Sequence, residues 1–221
     1  TVADRSAERA LTAIFQAADP DCLVVGEEAV YADDAPLRAL PSAERAWVID
    51  PIDGTRNFAS GSPDFAVMVA EVRAGVTTRS WIWQPMYDRM YVAERGAGVY
   101  CNDVRVPVVP VAEPLVGALH RAGRRIKDDL PPDITLVRQA GCAGVDYPAV
   151  AEGRRAFIGY RSLHPWDHLP GGLMVTENGG VIATTDGRDY VAGVTGPYLL
   201  AGATPDVWDR AARLVREHFV R

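Results

Sequence analysis

The chain has 221 residues, room for one large domain or two packed halves, and its 48% hydrophobic and 24% charged residues are the balance of a soluble globular protein. A net charge of −6 at pH 7 supplies no basic surface for nucleic acid, and no apolar run approaches the about 20 residues that span a bilayer. Three scattered cysteines, Cys22, Cys101 and Cys142, lack CxxC spacing, which argues against a disulfide framework and fits small buried apolar residues in a reducing, cytoplasmic setting.

Asp4 is placed to cap a helix in which Ala7, Ala10, Leu11, Ile14 and Phe15 recur at helical spacing, and Asp19-Pro20 ends it. A short strand over 23–25 delivers Gly26-Glu27-Glu28, and a buried strand over 46–49 runs into Asp50. Residues 65–72, 76–83 and 89–94 read as an antiparallel meander that turns at Ala74-Gly75 and ends at Gly96-Ala97-Gly98 and Asn102-Asp103. The proline-punctuated stretch 107–132, with its basic run Arg121 to Lys127, reads as a connection whose charges form a solvated face. Strands are then predicted at 134–137, 156–159, 181–183 and 198–201, with helices over 145–151 and from Asp167 to Gly179-Gly180. Thr204 caps a last helix with Pro205 at its first position and Val207, Ala211, Leu214 and Val215 on one face. Strands cluster early and alternate with helices later, which divides the chain into an α+β half over 1–110 and an α/β half over 111–221.

The chemistry concentrates at Asp50-Pro51-Ile52-Asp53-Gly54-Thr55. A buried strand ends at an acid, proline fixes the next backbone angle, and a second acid precedes a glycine that can take a turn closed to other residues. Two carboxylates held close together are costly unless a cation sits between them. Mg²⁺ suits such a site, because it prefers oxygen ligands and shares itself with substrate phosphate. The backbone N–H groups of Gly54 and Thr55 are then placed to receive phosphate oxygens. A plain surface turn with exposed acids is the alternative, and the buried Val48-Ile49 lead-in speaks against it.

These residues resemble the inositol monophosphatase family of lithium-sensitive Mg²⁺ phosphatases. The DPIDGT stretch looks like the family's first signature. Trp166-Asp167 followed by Gly171-Gly172 is similar to the second, Gly26-Glu27-Glu28 to an acid pair after a strand, and Thr1-Val2-Ala3-Asp4 to a fourth element, all in the family's order. The resemblance implies a layered α/β/α/β/α sandwich and a homodimer acting on a small phosphorylated metabolite. It implies that Glu27, Asp50 and the Ile52 carbonyl bind a first Mg²⁺, that Asp50, Asp53 and Asp167 bind a second, and that Glu27 or Glu28 helps a weaker third. Asp4 would hydrogen-bond Thr55 and so orient the water that attacks phosphorus, with no covalent intermediate.

For the substrate, Gly141-Cys142-Ala143-Gly144 resembles a Gly-Ser-Ala turn of the family's pocket, with Cys142 where a small hydroxyl residue is common. Inositol-selective members resemble one another in an acid seven residues before the Trp-Asp aspartate; here that place holds Tyr160, beside Arg161. A tyrosine cannot accept from two ring hydroxyls as a carboxylate does, so histidinol phosphate and 3′-phosphoadenosine 5′-phosphate stay open beside inositol phosphate. The family's additional N-terminal helix and mobile lysine-bearing loop have no counterpart before Thr1, and a fully closed site is expected to need them. A non-catalytic relative that binds metal or phosphorylated ligands is the reading from another class. His164 and His168 have the spacing of a helical zinc pair, but Pro165 lies between them; the plainer expectation puts His164 at the site mouth and His168 on the helix surface. Glu177 is expected at the far end of that helix, and Trp81, Trp83, Tyr87 and Tyr91 as core and interface aromatics.

Overall fold

The structure, a computed structural model, describes residues 1–120 and 130–218. Helix α1 (Val2–Ala18) leads into strand β1 (Leu23–Gly26), short helices α2 (Glu27–Val30) and α3 (Ala35–Ala39), strand β2 (Arg45–Asp53) and helix α4 (Thr55–Ala59). Strands β3 (Ala66–Arg73), β4 (Val76–Gln84), β5 (Arg89–Glu94), β6 (Gly98–Cys101) and β7 (Val104–Arg105) follow. They complete a seven-stranded sheet in sequence order, antiparallel except that β1 runs parallel to β2. Within that parallel pair Gly26 stands opposite Ile49, so both strands end side by side.

Strands β8 (Leu115–Leu119) and β9 (Ile134–Leu136), helix α5 (Ala143–Ala151), strand β10 (Phe157–Tyr160), helix α6 (Pro165–Glu177), strands β11 (Val181–Thr184) and β12 (Leu199–Gly202) and helix α7 (Pro205–His218) make up the rest. Their strands form a second sheet in the order β11-β12-β10-β8-β9. β8 lies inside the stretch expected to be only a connection. Four of its five residues are buried and it lies between β9 and β10, a non-local pairing that no local pattern announces. The basic run Arg121 to Lys127 lies outside the described residues.

Helices α5 and α6 fill the space between the sheets, which is why α6 is apolar nearly all round rather than along one stripe. One continuous core joins Val48, Met68 and Ile82 of the first sheet to Leu173 and Met174 of α6 and to Ile158 and Leu199 of the second. α1 covers the outer face of the first sheet at β2, where Phe15 stacks on Trp47 with ring centroids 4.1 Å apart. α7 covers the outer face of the second, and Thr204 Oγ1 caps it by accepting from Val207 N–H. The result is the layered α/β/α/β/α sandwich. Among the aromatics expected in the core or at an interface, Tyr91 is fully buried in the core and Trp83 is 43% exposed. Among the described residues, no helix is long and apolar enough to cross a membrane.

Candidate functional site

β2 ends in a bulge: Asp50 pairs with Met68 and Asp53 with Ala66, so one extra residue is accommodated between them. Side chains three apart on a regular strand point to opposite faces; the bulge turns both carboxylates to one side. Asp50 Oδ1 accepts the Ile52 N–H at 3.1 Å, which fixes its rotamer. Gly54 follows at φ +82, the left-handed region, with a would-be Cβ 2.9 Å from the Asp64 carbonyl oxygen, so no other residue fits there without strain.

Asp167, in the first turn of α6, completes the cluster. Ligand oxygens of Asp50, Asp53 and Asp167 lie within 4.8 Å of one another, the group among the described residues that could hold a metal. Glu27 joins from the end of β1, beside Asp50 because Gly26 is paired with Ile49. Side-chain hydrogen bonds link Glu27 to Asp50 and Asp50 to Asp167. Each such bond needs a proton on one partner. Burial and mutual repulsion push Asp50 and Asp167 well above the ordinary carboxylate range, and burial chiefly drives Glu27 up to about 7. Asp53 is raised by burial too, but the Cys142 thiol and backbone N–H groups hold it partly down. A divalent cation can replace those protons, and a set of carboxylate oxygens suits a hard one.

Thr55 opens α4. Its hydroxyl lies 3.1 Å from the Ile52 carbonyl oxygen and 3.4 Å from Asp4 Oδ1, so Asp4, buried on α1, meets Thr55 across 51 positions of sequence. Glu28 is half-buried in α2. Its N–H and that of Ala29 donate to the Glu8 carboxylate at 2.8 and 2.9 Å, a clasp from α1 that positions the Glu27-Glu28 turn. Exposed Tyr31, one residue past α2, lies close enough for the charges of Glu27 and Asp167 to raise its phenol pKa beyond the effect of burial.

The residues expected around a substrate sit differently. Cys142 is 3% exposed, and its thiol donates to Asp53 Oδ2 at 3.0 Å. Ala143 is buried beside it, and Gly144 N–H donates to the same oxygen at 2.6 Å. Tyr160 is 8% exposed and its hydroxyl donates to Asp146 Oδ2 at 3.2 Å. Side-chain polarity at Cys142 and Tyr160 is thus directed into the protein, while Arg161 is exposed. Sequence reasoning missed Glu8 and Asp146, both buried acids that accept backbone N–H groups; an acid among apolar neighbours in a helix is the one signal either offers.

The zinc pair does not form. His168, expected on the helix surface, is fully buried, because α6 is packed from both sheets. Its Nε2 faces the Ser162 carbonyl oxygen at 2.8 Å and must carry the proton, so Nδ1 accepts from the Tyr147 hydroxyl at 3.0 Å. Burial lowers its pKa to about 3, leaving it neutral. His164 stacks on Trp166 with Nδ1 3.8 Å from Asp167 Oδ2. Glu177 ends α6 and accepts the N–H groups of Gly96 and Gly98 at the β5–β6 turn.

Comparison with known proteins agrees with this geometry. The sequence profile of the inositol monophosphatase family matches residues 1–218. A putative Nus factor SuhB of Neisseria meningitidis is 31% identical, with 97% of this chain and 83% of the relative covered. An inositol-1-monophosphatase of Mesorhizobium japonicum is 32% identical over 84% of this chain and 71% of the relative. The crystal structure of the extragenic suppressor protein suhB of Bartonella henselae superposes with a TM-score of 0.80 at 27% identity, covering 97% of this chain and 84% of that one. With the profile matched along nearly its whole length, the chain belongs to the inositol monophosphatase family.

Proposed function

We propose that the protein is a Mg²⁺-dependent phosphomonoesterase acting on a small polyol or sugar phosphate. The observation that carries this reading is the convergence of acids from three separate segments: the end of β1, the bulged end of β2 and the start of α6. In this reading Glu27, Asp50 and the Ile52 carbonyl would hold one Mg²⁺, Asp50, Asp53 and Asp167 would hold a second, and Glu27 or Glu28 would help a weaker third. Bound Mg²⁺ supplies charge neutralisation for the phosphate and the leaving oxygen and lowers the pKa of water.

The chain's own residues do the rest. Asp4 holds the Thr55 hydroxyl, whose oxygen then accepts a proton from the attacking water while its own proton is directed at the Asp4 carboxylate. In this reading the backbone N–H groups at Gly54 and Thr55 would receive phosphate oxygens, the Gly54 N–H being shared with the Asp53 carboxylate. As water bonds to phosphorus, the bond to the substrate's ester oxygen breaks; the proton that water gives up passes by way of Thr55 and Asp4 to solvent, and the leaving oxygen takes its proton from solvent. Exposed Arg161 favours a substrate with an additional anionic group, so histidinol phosphate and 3′-phosphoadenosine 5′-phosphate belong in the same screen. Inhibition by lithium and a homodimeric assembly belong to the proposal through the family, and a division near residue 110 through the order of the elements.

Phosphate release from a panel of inositol, histidinol, fructose-bisphosphate and adenosine-bisphosphate substrates tests the reading. It is expected to need Mg²⁺ and to stop with chelator. Asp53→Asn should lose activity by about 10³-fold or more while staying folded, the scale of a lost electrostatic group in an active site; full activity in that variant would sink the metal role. A second reading, a regulator that binds metal or a phosphorylated ligand without turnover, is favoured by the Nus-factor names of relatives. Tight ligand binding with no phosphate release from any member of the panel would support it.

A further inference from the structure

Asp53 Oδ2 is held by the 142–144 turn, through Gly144 N–H at 2.6 Å and the Cys142 thiol at 3.0 Å. The position of that turn therefore sets the position of the carboxylate. Two contacts fix the turn from behind. Ala140 N–H donates to Asp146 Oδ1 at 3.1 Å, which folds the approach to α5 back onto its first turn. The Ala140 carbonyl oxygen accepts from Asn57 Nδ2 at 2.9 Å, and Asn57 lies on α4, directly after the Asp53-Gly54-Thr55 turn. The contacts close a ring: Asp53, the 142–144 turn, Asp146, Ala140, Asn57 and back along the chain to Asp53.

Asp146 is the one charged side chain besides Asp53 among those that make the ring's hydrogen bonds, and it is 1% exposed. A carboxylate there is expensive unless its oxygens are filled. Arg155 Nη1 stands 2.9 Å from Oδ1, and the Tyr160 hydroxyl donates to Oδ2. Arg155 is tied in turn through Nη2 to the Arg138 carbonyl oxygen at 3.2 Å. A buried hydrophobe or a plain amide would serve packing as well, since replacing buried ion pairs by apolar groups is often neutral for stability. Here Oδ1 accepts from Ala140 N–H and Oδ2 from the Tyr160 hydroxyl, while Arg155 Nη1 makes a charge contact without an aligned hydrogen bond; the two hydrogen bonds fix the direction of the carboxylate and Arg155 supplies its countercharge.

We propose that Asp146, charge-paired with Arg155, is a positioning residue for Asp53, acting through the Ala140–Gly144 turn to hold that carboxylate where a divalent cation needs it. The inference rests on the metal-site reading above and goes beyond it, since Asp146 touches neither the carboxylate cluster nor a substrate. Partners one step removed from a metal ligand commonly govern affinity by about 10–100-fold.

The test is Mn²⁺ binding to the full chain, read by the loss of the free-ion paramagnetic resonance signal, with thermal melting as the check on folding. Asp146→Asn keeps size and one acceptor but loses the charge and the second acceptor; it should bind Mn²⁺ about tenfold more weakly and still melt cooperatively. Arg155→Met should move affinity in the same direction and Arg155→Lys should recover most of it, which gives a reading even if Asp146→Asn fails to fold. In phosphate release, the Mg²⁺ concentration for half-maximal rate should rise by a similar factor, with a smaller change in kcat at saturating Mg²⁺. Unchanged Mn²⁺ affinity in a folded Asp146→Asn, or in Arg155→Met, overturns the inference while leaving the metal site standing. Wild-type protein that takes up no Mn²⁺ overturns both.

Discussion

Gly26 sits where a side chain cannot: a Cβ there would stand 2.3 Å from Glu8 Cδ, the group that clasps the start of α2. Gly26→Ala should therefore cost about 1–3 kcal/mol, the scale of overpacking in a well-filled site, measured by denaturant unfolding. Glu8→Ala removes the obstructing carboxylate, so the double variant should lose less than the sum of the singles; strict additivity would show that the two residues do not meet. This pair marks how far single residues can be read from sequence. Asp50 and Asp53 were legible because the bulge that joins them lies within one short segment. Glu8 was not, since the N–H groups it accepts lie about twenty positions away. His168 failed for another reason: a histidine after Trp-Asp at a helix start looks solvent-facing until both faces of the helix are found covered.

The packing of α5 on α6 has its own tight point. A Cβ on Gly171 would lie 2.1 Å from Tyr147 Cγ, and Tyr147 is fully buried. Gly171→Ala gains about 1 kcal/mol of helix propensity but forces a buried ring off its place at about 1–3 kcal/mol. The melting temperature should fall; a rise would mean that the ring moves aside freely. Among elements, the β3–β5 meander was legible because apolar runs of strand length alternate with turn residues such as Ala74-Gly75, and each strand pairs with its neighbour in sequence. β8 was hidden by flanking prolines and by partners reached only through long connections. Pro148 and Pro170, which local rules place at helix ends, lie inside α5 and α6, where packing on every side outweighs the lost backbone bond.

At the scale of the molecule, the acid cluster ties stability to pH and to metal. Glu27, Asp50, Asp53 and Asp167 all have raised pKa values in the fold. Below about pH 4, near the pKa of carboxyls in the unfolded chain, both states carry the protons and the cluster's contribution to stability is fully present. As pH rises through about 7, where Glu27 titrates, the folded state must ionise groups that repel one another, while the unfolded chain has already done so. Stability of chelator-treated protein should fall across that window, and Mg²⁺ added at pH 8 should raise the melting temperature by mass action. Calorimetry with and without chelator checks this; a melting temperature indifferent to Mg²⁺ at pH 8 counts against the cluster as a cation site. Because one core runs through both sheets and α6, the shift should appear as movement of a single transition.

The parallel pairing of β1 with β2 separates two things that sequence alone presents as linked. Glu27 and Asp50 are neighbours because Gly26 lies opposite Ile49, and nothing between Tyr31 and Glu44 takes part in that register. The exposed stretch 31–35 of the intervening segment can be lengthened or exchanged without moving one acid relative to the other, while Leu40 anchors the rest of the segment in the core. Tyr31 stands at its start, on the rim of the cluster. Evolution, or an engineer grafting loops, can therefore rewrite what this scaffold admits at its rim while the acids beneath keep their spacing.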